Sequence, residues 1–344
     1  VKAIGFKKHG GPEVLEWLDL SDPVAGPGQV LVKVKAVGLN HLDLWIRQGL
    51  AHLKHAYPHI LGADIVGEVA ATGPGVDDLS VGQKTLLHPT LSCGHCERCG
   101  LGQDYLCPHF KILGEHCAGG YAQYVVVPRR NILPYPEGLT WAEASCVPLV
   151  FLTAWQMLVE KARIRPGMIV VIHGAASGVG SAGIQIAKLF GATVITTAGS
   201  EDKLNKAKAL GADHLINYKK QNFLEAVTAI AGKQKIDVVF EHVGKAMWKE
   251  SLLCLRWGGT LVTCGATTGY QVETDLRQIF FRQLQVLGST MGALGTQYEI
   301  LRHFAAGRLK PVLDRVLPLQ QAVEAHRLLE DGQQFGKIVL EIPS

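Results

Sequence analysis

The stretch Met168–Lys188, MIVVIHGAASGVGSAGIQIAK, decides the fold. It opens as a nearly unbroken apolar run, turns at Gly174, and continues with apolar residues at helical spacing as far as Phe190, where Gly191 supplies a stop. Strands buried on both faces of a parallel sheet read as such runs. The turn and first helical residues are Gly174, Ala175, Ser177, Gly178, Val179 and Gly180. Ala175-x-Ser177-x-x-Gly180 takes the places of a G-x-G-x-x-G fingerprint, with small residues at two of the glycine sites. A pyrophosphate reaches the N–H groups of a helix N-terminus only where side chains are small. A bare strand–helix turn is the plainer reading. Flanked by an apolar strand and a helix, the pattern points to a dinucleotide.

Strand and helix patterns keep alternating downstream: TVITTAG (Thr193–Gly199), EDKLNKAKAL (Glu201–Leu210), HLINY, Phe223–Ile230, DVVFEHV, TLVTCGA and a closing strand QVLGSTMG (Gln285–Gly292). This predicts an α/β fold with a Rossmann-type doubly wound parallel sheet. The second strand ends in Ala198, Gly199 and Ser200, where an NAD site would place an acid for the ribose 2′-hydroxyl. Ser200 and Lys203 suit a 2′-phosphate there, so NADP is favoured over NAD. Tyr218, Val243 and Gly265, near the ends of later strands, complete the expected cofactor residues. Lys203 also reads as an ordinary solvated helix charge.

Upstream, the texture is of short strands cut by Gly and Pro, as in GQVLVKVKAVG (Gly28–Gly38), DIVGEVAAT (Asp64–Thr72) and GGYAQYVVVP (Gly119–Pro128). The expected organisation is a β-rich domain over 1–150, a dinucleotide-binding domain over 151–288, and a tail over 289–344 that returns to the first. At 93–107, Cys93, Cys96, Cys99 and Cys107 form C-x2-C-x2-C-x7-C. Four thiolates so spaced suit one tetrahedral zinc with no open position, hence a structural ion. Unligated thiols or disulfides are the plainer alternative.

The balance of 34 basic against 30 acidic residues, formally +4, argues against a nucleic-acid partner. Apolar residues make up 47%, which argues against disorder. Runs such as Met168–Ile172 are too short to span a bilayer, and VKAIGFKKHG holds no signal-peptide core. A cytoplasmic setting without membrane partners is expected.

With GPEVLEW (Gly11–Trp17) and PGQVLVKV (Pro27–Val34), these features resemble the medium-chain dehydrogenase/reductase superfamily over essentially the whole chain. The resemblance implies that the β-rich part, with the tail, is a GroES-like catalytic domain. It also implies a homodimer or homotetramer, joined through the edge strand QVLGSTMG. Members with a catalytic zinc carry Cys in G-x-C-H-x-D; here Asn40 stands in Gly38-Leu39-Asn40-His41-Leu42-Asp43. They carry G-H-E next; here it is Gly62-Ala63-Asp64, and the third ligand falls near Leu149. The catalytic ion is therefore expected to be absent, leaving one structural zinc. Asn40 and Asp43 match the N-x-x-D of the quinone oxidoreductase branch, although Trp45 stands where that branch often has Tyr. By resemblance, Asn40 donates to the substrate oxygen, Thr153 meets the nicotinamide, and Asp43 and Asp64 support the site. For Asn40, a satisfied loop amide is the plainer reading.

Without zinc, hydride delivery suits substrates that delocalise their own charge. The expected activity is NAD(P)H-dependent reduction of small quinones or α,β-unsaturated carbonyls. One alternative is a zinc alcohol dehydrogenase interconverting alcohol and carbonyl, its metal held by Asp64 with His41, His116 or Cys117. Another is a dinucleotide-binding protein without turnover.

Overall fold

A computed structural model describes residues 1–49 and 56–343; residues 50–55 and 344, inside the expected segments 1–150 and 289–344, lie outside the described residues. The chain divides into two compact units, one of Val1–Leu149 with Ala293–Ser344, the other of Val150–Gly292.

The second unit is built on a six-stranded parallel sheet. Its strands are Ile169–Ile172, Thr193–Ala198, His214–Asn217, Ile236–Glu241, Leu255–Thr263 and Gln285–Gly288. Across the sheet they run third, second, first, fourth, fifth, sixth. The order reverses between Ile169–Ile172 and Ile236–Glu241, and ligands of doubly wound folds bind at the carboxyl ends of strands at such a switch. Val170, Val171, Ile172, Val194 and Ile195 are fully buried, as the continuous apolar runs require. Helices Gly178–Leu189 and Glu201–Ala209 each end near a glycine of left-handed φ, Gly191 at 72° and Gly211 at 105°. The closing strand is shorter than its sequence pattern: it stops at Gly288, and Met291, at φ 55°, takes the chain out of extended geometry.

In the first unit, strand Gln29–Gly38 is central. Its Val30, Val32 and Val34 face the core while Lys33 and Lys35 stay half-exposed, the period-two pattern of a strand with one wet face. It pairs antiparallel with Asp64–Thr72 and with Tyr124–Pro128. Its far end also pairs with Lys337–Glu341, so the tail closes the sheet of the first unit. The segment from Gly119 is extended only from Tyr124. Before that, the N–H groups of Gly119, Gly120 and Tyr121 bond to the carbonyls of Ile60, Gly62 and Leu61.

The expectation that every apolar run is too short for a bilayer has an exception. The helical stretch Trp141–Lys161 is long and apolar enough, and 78% of its most apolar window is buried in the fold. Its apolar residues serve the protein core, a use that length and composition cannot tell from a membrane span.

Gly62 turns the chain just ahead of strand Asp64–Thr72, at φ 100°. A Cβ there would sit 2.6 Å from the Tyr121 ring. Gly62→Ala combines backbone strain with overpacking and should destabilise the first unit by about 2–4 kcal/mol. Thermal unfolding measures it, and an unchanged midpoint would refute the packing argument.

Candidate cofactor, metal and substrate sites

The residues expected to form a phosphate loop meet at the carboxyl end of strand Ile169–Ile172. Gly174 takes φ 62°, Ala175 is fully buried, and Ser177 caps the helix that Gly178 and Val179 begin. The Ser177 hydroxyl donates to the Gly174 carbonyl at 2.8 Å and accepts from Gly180 N–H at 2.9 Å. A Cβ on Gly180 would lie 2.3 Å from the Gly174 carbonyl oxygen, so only glycine lets helix and loop approach. His242, which the sequence reading passed over, underlies the loop: its Nε2–H donates to the His173 carbonyl at 2.8 Å. Burial holds its pKa below the ordinary value. The signal was its place at the end of the fourth strand, next to the switch point.

At the second strand's end, Ser200 caps helix Glu201–Ala209 by accepting from Lys203 N–H at 3.4 Å. A Cβ on Gly199 would lie 2.7 Å from the Tyr218 hydroxyl and 3.2 Å from Cε of Lys219. Gly199, Tyr218 and Lys219 thus converge, and Lys219 is a cation the sequence reading missed. The nearby acid, Glu201, accepts from Asn217 Nδ2 at 2.7 Å and Lys220 Nζ at 3.1 Å. Gly265 lines a cavity of about 410 Å³ with Glu241, Gly244, Cys264 and Ser289. Glu241 accepts from the N–H groups of Val243 and Gly244, both at 2.8 Å, which fixes that loop. The hydroxyls of Thr153 and Ser289 are buried with no hydrogen-bond partner. Such donors are rare unless something else satisfies them.

The four lobe cysteines gather as their spacing suggests, every sulfur within 4.8 Å of the others. Cys93 lies 3.9 Å from Cys99 and 3.6 Å from Cys107, and Cys96 lies 3.8 Å from Cys107. Tetrahedral zinc with Zn–S bonds of about 2.3 Å sets its sulfurs about 3.8 Å apart, so the donor set fits that ion. Peptide N–H groups of Cys96 and His109 point at the sulfurs of Cys93 and Cys107 at 3.4 and 3.3 Å, and would stabilise thiolates. Among the described residues this is the one group of three or more potential ligands; Asp64, His41, His116 and Cys117 do not form another.

Asn40, at one of the three expected catalytic-zinc positions, and Asp64, next to another, meet a different cation, Lys337. Asn40 is the N-cap of helix His41–Gln48, in a capping box with Asp43. Its Oδ1 accepts from Lys337 Nζ at 2.6 Å, and its Nδ2 donates to Asp64 Oδ2 at 2.9 Å and to the Gly38 carbonyl at 3.4 Å. Lys337 also donates to Asp64 Oδ2 at 2.7 Å and to the Leu39 carbonyl. Three acceptors around Nζ use three hydrogens, the ammonium form. Asp64 Oδ1 accepts from Leu149 N–H at 2.6 Å. Side chains of Lys337 and Asp64 are 3% and 0% exposed. Asp43 accepts from the N–H groups of Asn40 and Gly62 at 2.7 and 3.0 Å. Burial pushes Asp43 up to about 7, and burial with the charge of Asp43 does the same to Glu115. Asn40 is thus engaged at both ends of its amide, more tightly than a simple substrate donor would be. Lys337 was not foreseen. The hint was a lysine heading the apolar strand KIVLEIP, since lysines are rarely buried unless paired.

Comparison with known proteins agrees with this anatomy. Residues 26–137 match the alcohol dehydrogenase GroES-like domain, and residues 178–306 match the zinc-binding dehydrogenase family. The chain is 27% identical to the human quinone oxidoreductase, over 99% of this chain and 97% of that one. It is 32% identical to a crotonyl-CoA reductase of Streptomyces avermitilis, over 92% and 80%. A crystal structure of an NAD-dependent alcohol dehydrogenase superposes with a TM-score of 0.96 at 48% identity, covering both chains fully. The chain belongs to the medium-chain dehydrogenase/reductase superfamily.

Proposed function

We propose that this protein is an NADPH-dependent reductase of quinones or α,β-unsaturated carbonyls that works without a catalytic zinc. The observation that carries the reading is the Asn40–Asp64–Lys337 network. Catalytic zinc needs three protein ligands and an open position. Here Ala63 and Leu149 offer none, and a buried ammonium is bonded to Asn40 and Asp64. The residues do not fit that ion.

The dihydronicotinamide supplies a hydride when bound. The second unit would hold the dinucleotide, its pyrophosphate against the helix that starts at Gly178, with Thr153 at the nicotinamide. Hydride addition to the β-carbon of an enone, or to a quinone, leaves a negative charge spread over the substrate and ending on oxygen. Asn40 donates a hydrogen bond to that oxygen, and a proton from solvent completes the reduction. Simple ketones concentrate the charge on one alkoxide and gain more from a Lewis acid. Relatives named for quinone and crotonyl-CoA reduction support the substrate class. The 48% identical structure, named as an NAD-dependent alcohol dehydrogenase, favours a second reading, alcohol–ketone interconversion. The free edge of strand Gln285–Gly288 supports a homodimer.

Purified protein with NADPH and a panel of quinones, enones, ketones and aldehydes tests the class. Quinones or enones should oxidise the cofactor fastest. Turnover confined to ketones and aldehydes would favour the second reading, and no turnover would leave a binding protein. NADPH should bind at least about tenfold more tightly than NADH, roughly 1.4 kcal/mol. Lys219→Glu should remove most of that difference, by setting a carboxylate beside the 2′-phosphate. Tighter binding of NADH to the native protein would overturn the assignment. Metal analysis should find one zinc per chain. Cys96→Ser should lose it and lower the melting temperature, with dinucleotide affinity held within about threefold because the lobe and the phosphate loop lie in separate units. Two ions per chain would defeat the zinc-free mechanism.

A further inference from the structure

The carboxamide of Asn40 is held in one orientation. Its oxygen must face the ammonium and its nitrogen must face the Asp64 carboxylate, because the reverse would set like partners against each other. Of the two N–H bonds, one is committed to Asp64 at 2.9 Å. The other has only the Gly38 carbonyl at 3.4 Å, a weak contact that an incoming oxygen can replace. An ammonium on Oδ1 withdraws charge through the amide and strengthens both N–H groups as donors.

We infer that Lys337 is a positioning residue for hydride transfer: its ammonium, anchored by Asp64 and the Leu39 carbonyl, orients and polarises Asn40 so that the N–H weakly held by the Gly38 carbonyl turns to the oxygen where negative charge develops. The inference rests on the function proposed above in taking Asn40 as the substrate's donor. Lys337 forms no bond to substrate, because its three hydrogens are already used. It acts through Asn40 and through its field.

Removing the lysine alone would strand a buried carboxylate, so the main variant is Lys337→Met with Asp64→Asn, which deletes both charges. It should reduce kcat about 100-fold while KM moves less than about threefold, as for a donor whose effect grows in the transition state. Asn40→Ala should lower kcat about 100-fold in the native background and less than about threefold in the double variant. Additive effects, or a double variant with native kcat, would overturn the inference. Lys337→Arg keeps the charge and decides the matter if the double variant does not fold. A planar guanidinium cannot place hydrogens on the same three acceptors, so kcat should fall about tenfold with KM unchanged. Native kcat in that variant would overturn the inference.

A second readout needs no turnover. The side-chain N–H pair of Asn40, identified by its loss from the ¹H–¹⁵N spectrum of Asn40→Ala, should shift in Lys337→Arg; an unmoved pair would overturn the inference. If the native enzyme reduces only ketones, the proposed substrate class falls, and the same coupling measured on a ketone still decides the role of Lys337.

Discussion

A buried carboxylate without a partner costs several kcal/mol, and so does a buried ammonium. The Asp64–Lys337 pair offsets both penalties, and it ties together the strands that carry its two members. Strand Asp64–Thr72 and strand Lys337–Glu341 meet the central strand Gln29–Gly38 at the same end: Gly38 is opposite Asp64 on one side and Val339 on the other. Gly38 makes room for the pair. A Cβ there would lie 2.5 Å from the Ser145 carbonyl oxygen and 3.0 Å from Cε of Lys337. The ion pair thus fastens the tail to a strand more than 270 positions earlier.

The same pair sets the chemistry open to the site. Zinc accepts a lone pair and concentrates two positive charges on one oxygen. An ammonium with its hydrogens engaged offers a single charge, and only through hydrogen bonds and field. Its help to a localised alkoxide is correspondingly smaller. An enolate or hydroquinone anion, which spreads its charge over several atoms, needs less. The cation present and the substrate class proposed are therefore two sides of one electrostatic argument.

Which parts of the molecule could be read from sequence follows from how local each is. The phosphate loop and the cysteine lobe are each written in fewer than twenty consecutive residues, with spacing that carries geometry directly, and both come together in the structure. The parallel sheet was legible because its central strands, such as Ile169–Ile172 and Thr193–Ala198, are apolar runs that are mostly buried. Strand ends were less so: the stretch Gln285–Gly292 is a strand only as far as Gly288, and Met291 beyond it has φ 55°. Lys219 and His242 take meaning only from strand order, which sets them beside Gly199 and Gly174. Lys337 depends on topology altogether. In sequence it is one lysine at the head of a strand, and its partners are chosen by a pairing of distant strands.

The lobe has a purpose independent of any reaction at Asn40. Asp104, inside the cysteine loop, is buried, and burial raises its pKa. Its carboxylate accepts from Leu294 N–H at 3.1 Å, at the start of helix Leu294–Ala305. A carboxylate at a helix N-terminus satisfies a free donor and complements the helix dipole. That contact holds only if the loop carrying Asp104 keeps its shape, and a loop this short and glycine-rich has little core of its own. Thiolates crosslinked by one ion would supply the rigidity. The ammonium of Lys337 cannot perform that service, because it makes hydrogen bonds and no coordinate crosslinks. The four-thiolate cluster, with the ion it is proposed to hold, and the Lys337 ammonium therefore answer different demands: rigidity in the lobe, polarisation at Asn40. This is why a chain can lack ligands for one metal while keeping all four for the other.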